Sequence, residues 1–163
     1  MNKHDRSVLN KVSLKDPWQL IAFGFGSGLA PIAPGTFGSL AALPLCMALV
    51  YLPWYVNVLI IMLTFIVGVK ACDVADRVLG MHDNSSVVID EFAGMFISVL
   101  FFPSVWYYAF LGFVLFRFFD ILKPYPINVL DKKIAGGLGV MVDDVLAGAY
   151  ACLSAQILFY FLS

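Results

Sequence analysis

The sequence predicts an all-α, polytopic membrane bundle of about five spanning helices, preceded by a Gly/Pro-rich re-entrant or interfacial segment. Three observations predict it. The 163 residues are 61 % hydrophobic and only 13 % charged, with mean hydropathy +0.90, against roughly 45–50 % and 25 % in soluble domains. The charges gather in three clusters, separated by uncharged stretches at 17–69, 92–116 and 145–163. Those stretches reach or exceed the ~17–20 apolar residues that a bilayer crossing needs. The same composition excludes a disordered chain and a coiled coil. A net charge of −1 and a pI near 6.0 leave no basic footprint for nucleic acid.

Residues 1–16 read as a cytoplasmic tail, carrying Lys3, Asp5, Arg6, Lys11, Lys15 and Asp16 without the apolar stretch of a secretory signal. Residues 17–163 read as a single membrane-embedded domain. Between Trp18 and Gly38, the breakers Gly24, Gly26, Gly28, Pro31, Pro34 and Gly35 rule out a stable spanning helix. Such backbone is tolerated at membrane depth only where protein buries it or it lines a polar cavity. Residues 37–52 and 54–70 form a helical hairpin, with Pro53 ending one helix and opening the next. Residues 92–116 admit two readings. One continuous helix would put Asp90 and Glu91 on the opposite side of the bilayer from Arg117 and Asp120, whereas a hairpin turning at 102–104 returns them to the same side. Pro103 breaks the continuous helix, and the hairpin keeps all ten Lys and Arg on one side, so the hairpin is predicted. Its first leg covers 85–102 from an N-cap at 84–86, which places Asp90 and Glu91 a turn or more inside the helix. Its second leg runs to about Leu122. Residues 145–162 are the clearest single span. Cys46, Cys72 and Cys152 are widely separated among apolar neighbours and read as packing residues.

The chemistry-bearing side chains sit at the ends of these helices. Asp90–Glu91, Asp120 and Asp143–Asp144 each fall at the predicted cytoplasmic end of a different helix. Two unit charges 4 Å apart repel by roughly 4 kcal/mol at an effective dielectric of about 20, so carboxylates brought together must protonate or share a cation. Hard oxygen ligands favour Mg²⁺, and there is no Cys/His set for zinc. Adjacent acids such as Asp143–Asp144 also suit a helix N-terminus, where the dipole favours them. Arg117 and Asp120 are i,i+3 neighbours, followed by Lys123 and the rigid Pro124–Tyr125–Pro126. Arg117 and Lys123 read either as a phosphate clamp or as an internal ion pair beside a snorkelling lysine. The glycines of 24–28 and 33–39, with Ser27, Thr36 and Ser39, have the makings of a phosphate cradle, although no GK[ST] ending makes this a Walker loop. They also suit close helix packing, and Gly136, Gly137 and Gly139 share that ambiguity. His82 is a candidate proton donor to a leaving alkoxide.

Residues 24–39 (GFGSGLAPIAPGTFGS), 90–94 (DEFAG), 117–127 (RFFDILKPYPI) and 136–148 (GGLGVMVDDVLAG) closely resemble, in order and spacing, the four signature blocks of bacterial phosphatidylglycerophosphatase A. The likeness covers nearly the whole chain from Pro17. It implies a Mg²⁺-dependent, multi-pass phosphatase of the bacterial inner membrane that converts phosphatidylglycerophosphate to phosphatidylglycerol and phosphate. The family's acidic motif residues carry over onto Asp90, Glu91, Asp120, Asp143 and Asp144, and its basic ones onto Arg117 and Lys123.

The roles assigned to those residues are a reading of their chemistry. Asp90, Glu91, Asp143 and Asp144 hold one or two Mg²⁺ at the cytoplasmic face. Arg117, Lys123, Ser27, Thr36 and the glycine-loop amides bind the phosphate, while Asp120 and Asp144 act in catalysis, Asp120 as base or further ligand. Two alternatives are a lipid phosphotransferase with clustered aspartates and a small cation carrier. The carrier requires polar residues continuing across the membrane, which 92–104 and 145–163 hardly supply.

Overall fold

The computed structural model describes residues 11–81 and 84–162, which leaves most of the predicted tail, and His82, outside the described residues. Among the described residues every regular element is helical. They are α1 (Pro17–Ala22), a 3-10 segment (Gly24–Leu29), α2 (Pro34–Leu49), α3 (Trp54–Leu79), α4 (Ile89–Ser98), α5 (Tyr108–Leu122), α6 (Ile127–Lys133) and α7 (Gly136–Leu162).

Asp16 caps α1, its carboxylate accepting from the amides of Trp18 and Gln19 at 2.8 and 3.1 Å. The Trp18 ring lies under Lys70 Nζ at 4.1 Å, which ties α1 to α3. The glycine- and proline-rich stretch is therefore a short helix, a 3-10 segment and a connector rather than one continuous loop. Its last part, from Pro34, is the first turn of α2.

Among the described residues two helices are long and apolar enough to cross a membrane, α3 and the Gly136–Phe161 part of α7. Along α3, Leu59, Met62, Leu63 and Ile66 are all more than half exposed, an apolar face that suggests membrane association. The expected five or so crossings are not confirmed by the described helices. At 1.5 Å per residue the 16 residues of α2 reach about 24 Å and the 10 of α4 about 15 Å, against a hydrocarbon core of ~30 Å.

The expected hairpin around Pro103 is present as an antiparallel pair. Gly94 faces Phe116 while Gly112 faces Ser98 and Val99, so α5 runs back along α4. The start of α4 differs from expectation, at Ile89 instead of 84–86. The Asn84 side chain accepts from the Ser86 amide at 2.9 Å, closing a local turn. The Val88 amide donates to Ala22 O at 2.9 Å instead of joining a helix. Asp90 and Glu91 consequently occupy the first turn of α4 rather than a deeper one.

The other helices also shift from expectation. α2 and α3 flank a turn at Pro53, bridged by Asn57 Nδ2 donating to Leu49 O at 3.1 Å, yet α2 packs mainly against α4 and α3 mainly against α7, not against each other. α3 continues past Lys70 to Leu79, carrying Asp73, Asp76 and Arg77 on its last turns. α7 starts nine residues before Val145, at Gly136, so Asp143 and Asp144 lie two turns inside it with no acid in its first turn. The N-terminus of α7 is capped instead by Asp73, whose Oδ1 accepts from the Gly137 amide at 2.7 Å. The helix-dipole account of Asp143–Asp144 therefore does not apply.

α7 is the centre of the bundle, packed on α3, α4, α5 and α6. The three cysteines are free and buried, as expected of packing residues.

Candidate functional site

The first turn of α4, the end of α5, the third turn of α7 and the first turn of α2 converge at one end of the bundle. A glycine pair sets the spacing of two of them. Gly94 and Gly148 lie one turn inward from Asp90 and Asp144, and a Cβ on Gly148 would overlap the Gly94 carbonyl oxygen. The α4 and α7 backbones thus touch at a point where only glycine fits. Four residues outward from that contact, the carboxylates of the two helices must meet. Ligand oxygens of Asp90, Glu91 and Asp144 all lie within 4.8 Å of one another.

Each of these three keeps one oxygen without a hydrogen bond. Among the described residues, Asp90 Oδ1, Glu91 Oε2 and Asp144 Oδ2 are buried with no hydrogen-bond partner. Glu91 and Asp144 are only 8 % and 3 % exposed. Buried, mutually repelling anions with open lone pairs are costly unless a cation fills the gap. An all-oxygen donor set suits a hard divalent ion, so the residues present fit a metal centre.

Positive charge lies against the trio. Arg117 Nη1 is 2.6 Å from Asp120 Oδ2 and 3.9 Å from Glu91 Oε1, its Nη2 donates to Thr36 Oγ1 at 3.4 Å, and its Nε has no partner. Lys123 caps α5 in the left-handed region, φ 41°, and places Nζ 2.7 Å from Asp143 Oδ2. The other Asp143 oxygen accepts from the Asp144 amide at 3.1 Å. A cavity of about 210 Å³ is lined by these acids, by Arg117 and Lys123, and by Pro34, Gly35, Asn84 and Ser85. Gly35 belongs there for a steric reason, since a Cβ on it would overlap Glu91 Oε1.

All five predicted acids and both predicted bases line this one cavity. Asp143 stands apart from the tight trio, turned toward Lys123. Thr36 reaches the site through Arg117. Ser27 does not reach it, because its hydroxyl donates to Gly24 O at 2.7 Å, and Ser39 is buried and donates to Gly35 O at 2.9 Å. The loop glycines serve close packing: Gly24 abuts Val88 and Phe92, and Gly28 abuts the Ser86 carbonyl. Sequence reasoning missed the cap on Asp73 and the Gly94–Gly148 contact. A signal for the second was present, because DEFAG and DVLAG both set a glycine four residues after an aspartate, flanked by alanine.

A family model described as "Phosphatidylglycerophosphatase A" matches residues 20–159. The chain is 42 % identical over 159 residues to the phosphatidylglycerophosphatase A of Escherichia coli K12, covering 97 % of this chain and 91 % of that one. It is 46 % identical over 151 residues to the phosphatidylglycerophosphatase A of Haemophilus influenzae Rd, covering 91 % and 93 %. No solved structure matches.

Proposed function

The chain belongs to the phosphatidylglycerophosphatase A family, and we propose that it removes the terminal phosphate of phosphatidylglycerophosphate, with Mg²⁺, at the cytoplasmic face of a bacterial inner membrane. It is a lipid phosphatase, a hydrolase of phospholipid synthesis. The observation that carries the mechanistic reading is the meeting of Asp90, Glu91 and Asp144 beside Arg117 and Lys123 in one cavity.

Mg²⁺ held by Asp90, Glu91 and Asp144, with Asp143 adjoining, would neutralise the phosphate and polarise an attacking water. Arg117 and Lys123 bind the non-bridging phosphate oxygens and stabilise them as charge redistributes. Asp120, fixed by its 2.6 Å pair with Arg117, orients the water and accepts its proton. The water oxygen bonds to phosphorus as the phosphorus–oxygen bond to the glycerol breaks; solvent water protonates the leaving oxygen to the hydroxyl of phosphatidylglycerol, Asp120 returns its proton to solvent, and inorganic phosphate is left. Asp143 holds Lys123 at the cavity until phosphate arrives.

The reading also embeds residues 17–163 in the bilayer as one unit, with the α4–α5 hairpin and α2 lying in it beside α3 and α7. The exposed apolar side chains Phe37 and Leu40 on α2, and Val114, Phe118 and Ile121 on α5, support that placement.

The test is phosphate release by purified protein from phosphatidylglycerophosphate in detergent micelles. The expected outcome is release that EDTA abolishes and added Mg²⁺ restores. Undiminished release in EDTA would remove the metal from the account, and no release from this lipid would overturn the substrate assignment.

A further inference from the structure

The cavity that holds the carboxylates does not end at them. A second hollow of about 260 Å³, formed by residues 30–34 and 84–86, shares Pro34, Asn84 and Ser85 with the carboxylate cavity of about 210 Å³. Each alone is smaller than the ~300–1,000 Å³ usual for small-molecule sites, and joined they enter that range.

The two compartments differ in chemistry. Arg117 and Lys123 line the first, whereas no Lys or Arg is among the described residues lining the second. The second is not built for another phosphate. Among the described residues its polar side chains are neutral: the exposed Ser85, the buried Ser86 and the Asn84 carboxamide, which is fixed by accepting from the Ser86 amide and donating to Met81 Sδ at 2.9 Å. The outer edge is apolar, with Ile32 76 % exposed. A neutral segment that carries a hydroxyl and is joined to the reacting phosphate matches those walls.

We propose that this hollow is the subsite for the glycerol that links the terminal phosphate to the rest of the lipid, so that phosphate and polyol are recognised as one unit. The inference rests on the functional reading above and adds a specificity to it. A phosphate seated directly on diacylglycerol would put an acyl-bearing carbon in the second compartment, where Asn84 and Ser85 would lose their partner. Such substrates are disfavoured for that reason.

Inhibition of phosphatidylglycerophosphate hydrolysis by two soluble probes, inorganic phosphate and sn-glycerol 3-phosphate, tests it. Inorganic phosphate fills only the first compartment, while glycerol phosphate reaches both. In the wild-type protein the glycerol phosphate inhibition constant is expected to be about tenfold lower, the scale of one or two added hydrogen bonds. Ala30, which lines the second hollow alone, is the position for a filling variant. Ala30→Phe should erase the preference and leave inhibition by inorganic phosphate within about twofold. Equal inhibition by the two probes in the wild type would overturn the proposal without any variant. So would a preference that survives Ala30→Phe, or an equal weakening of both probes in it. Absence of any hydrolysis of phosphatidylglycerophosphate is a separate result, and it defeats the functional reading itself.

Discussion

Ahead of α2, Gly24 and Gly28 press on Val88, Phe92 and the Ser86 carbonyl, and Ser27 is tied to Gly24. At the α4–α7 crossing, Gly94 and Gly148 bring two helical backbones into contact one turn inward from Asp90 and Asp144. Both regions place glycine where a side chain would collide. The loop glycines seat one wall of the site against the 86–92 segment. The crossing glycines fix how far apart the Asp90 and Asp144 carboxylates stand, the spacing on which the proposed metal centre depends. A glycine-rich loop beside a charged cavity is thus weak grounds for a phosphate cradle. A glycine one turn from an acid, repeated on two packed helices, bears directly on the site.

The comparison is sharpened first at the carboxylates that the crossing positions. Asp144→Asn and Asp90→Asn are each expected to lower kcat/KM for phosphate release on the order of 10³-fold. Circular dichroism and gel filtration in detergent should show the fold retained. Near-normal rates in both variants would detach the crossing from the chemistry.

A smaller effect is expected at the crossing itself. Gly148→Ala forces α4 and α7 apart against the Gly94 carbonyl, an overpacking worth about 1–3 kcal/mol of stability. It should also cost activity, on the order of 10²-fold, because the ligand spacing opens. Gly80, with φ 71° and nothing within 4 Å of an added Cβ, is the control, and Gly80→Asn keeps the left-handed turn with both readouts unchanged. A drop in melting temperature without a drop in rate for Gly148→Ala would break the link between crossing and site.

The smallest effect belongs to the loop. Ser27→Ala removes a hydroxyl bonded to Gly24 O, and is expected to cost about 0.5–1.5 kcal/mol of stability with less than about threefold change in kcat/KM. A large kinetic loss at unchanged stability would return the loop to direct phosphate contact.

Much of this arrangement is legible in the sequence, for physical reasons. The charge-free stretches set the helices, and Pro103 sets the turn between α4 and α5, because hydrophobicity and backbone chemistry are local. The acids and bases are identifiable because charge is scarce in so apolar a chain. What local chemistry does not reveal is which partner a backbone group chooses. The Val88 amide goes to Ala22 O, moving the start of α4, and Asp73 caps α7 from 64 residues away, moving its start to Gly136. For the same reason Ser27 looks like a ligand in sequence and is spent on its own loop.

The central claim is that the proposed divalent metal centre lies between α4 and α7. Electron paramagnetic resonance of Mn²⁺ titrated into purified protein in detergent, with Mg²⁺ as competitor, tests it most directly. The account predicts one class of bound Mn²⁺ that Mg²⁺ displaces and that Asp90→Asn and Asp144→Asn each abolish. Bound Mn²⁺ that survives either substitution unchanged would contradict it.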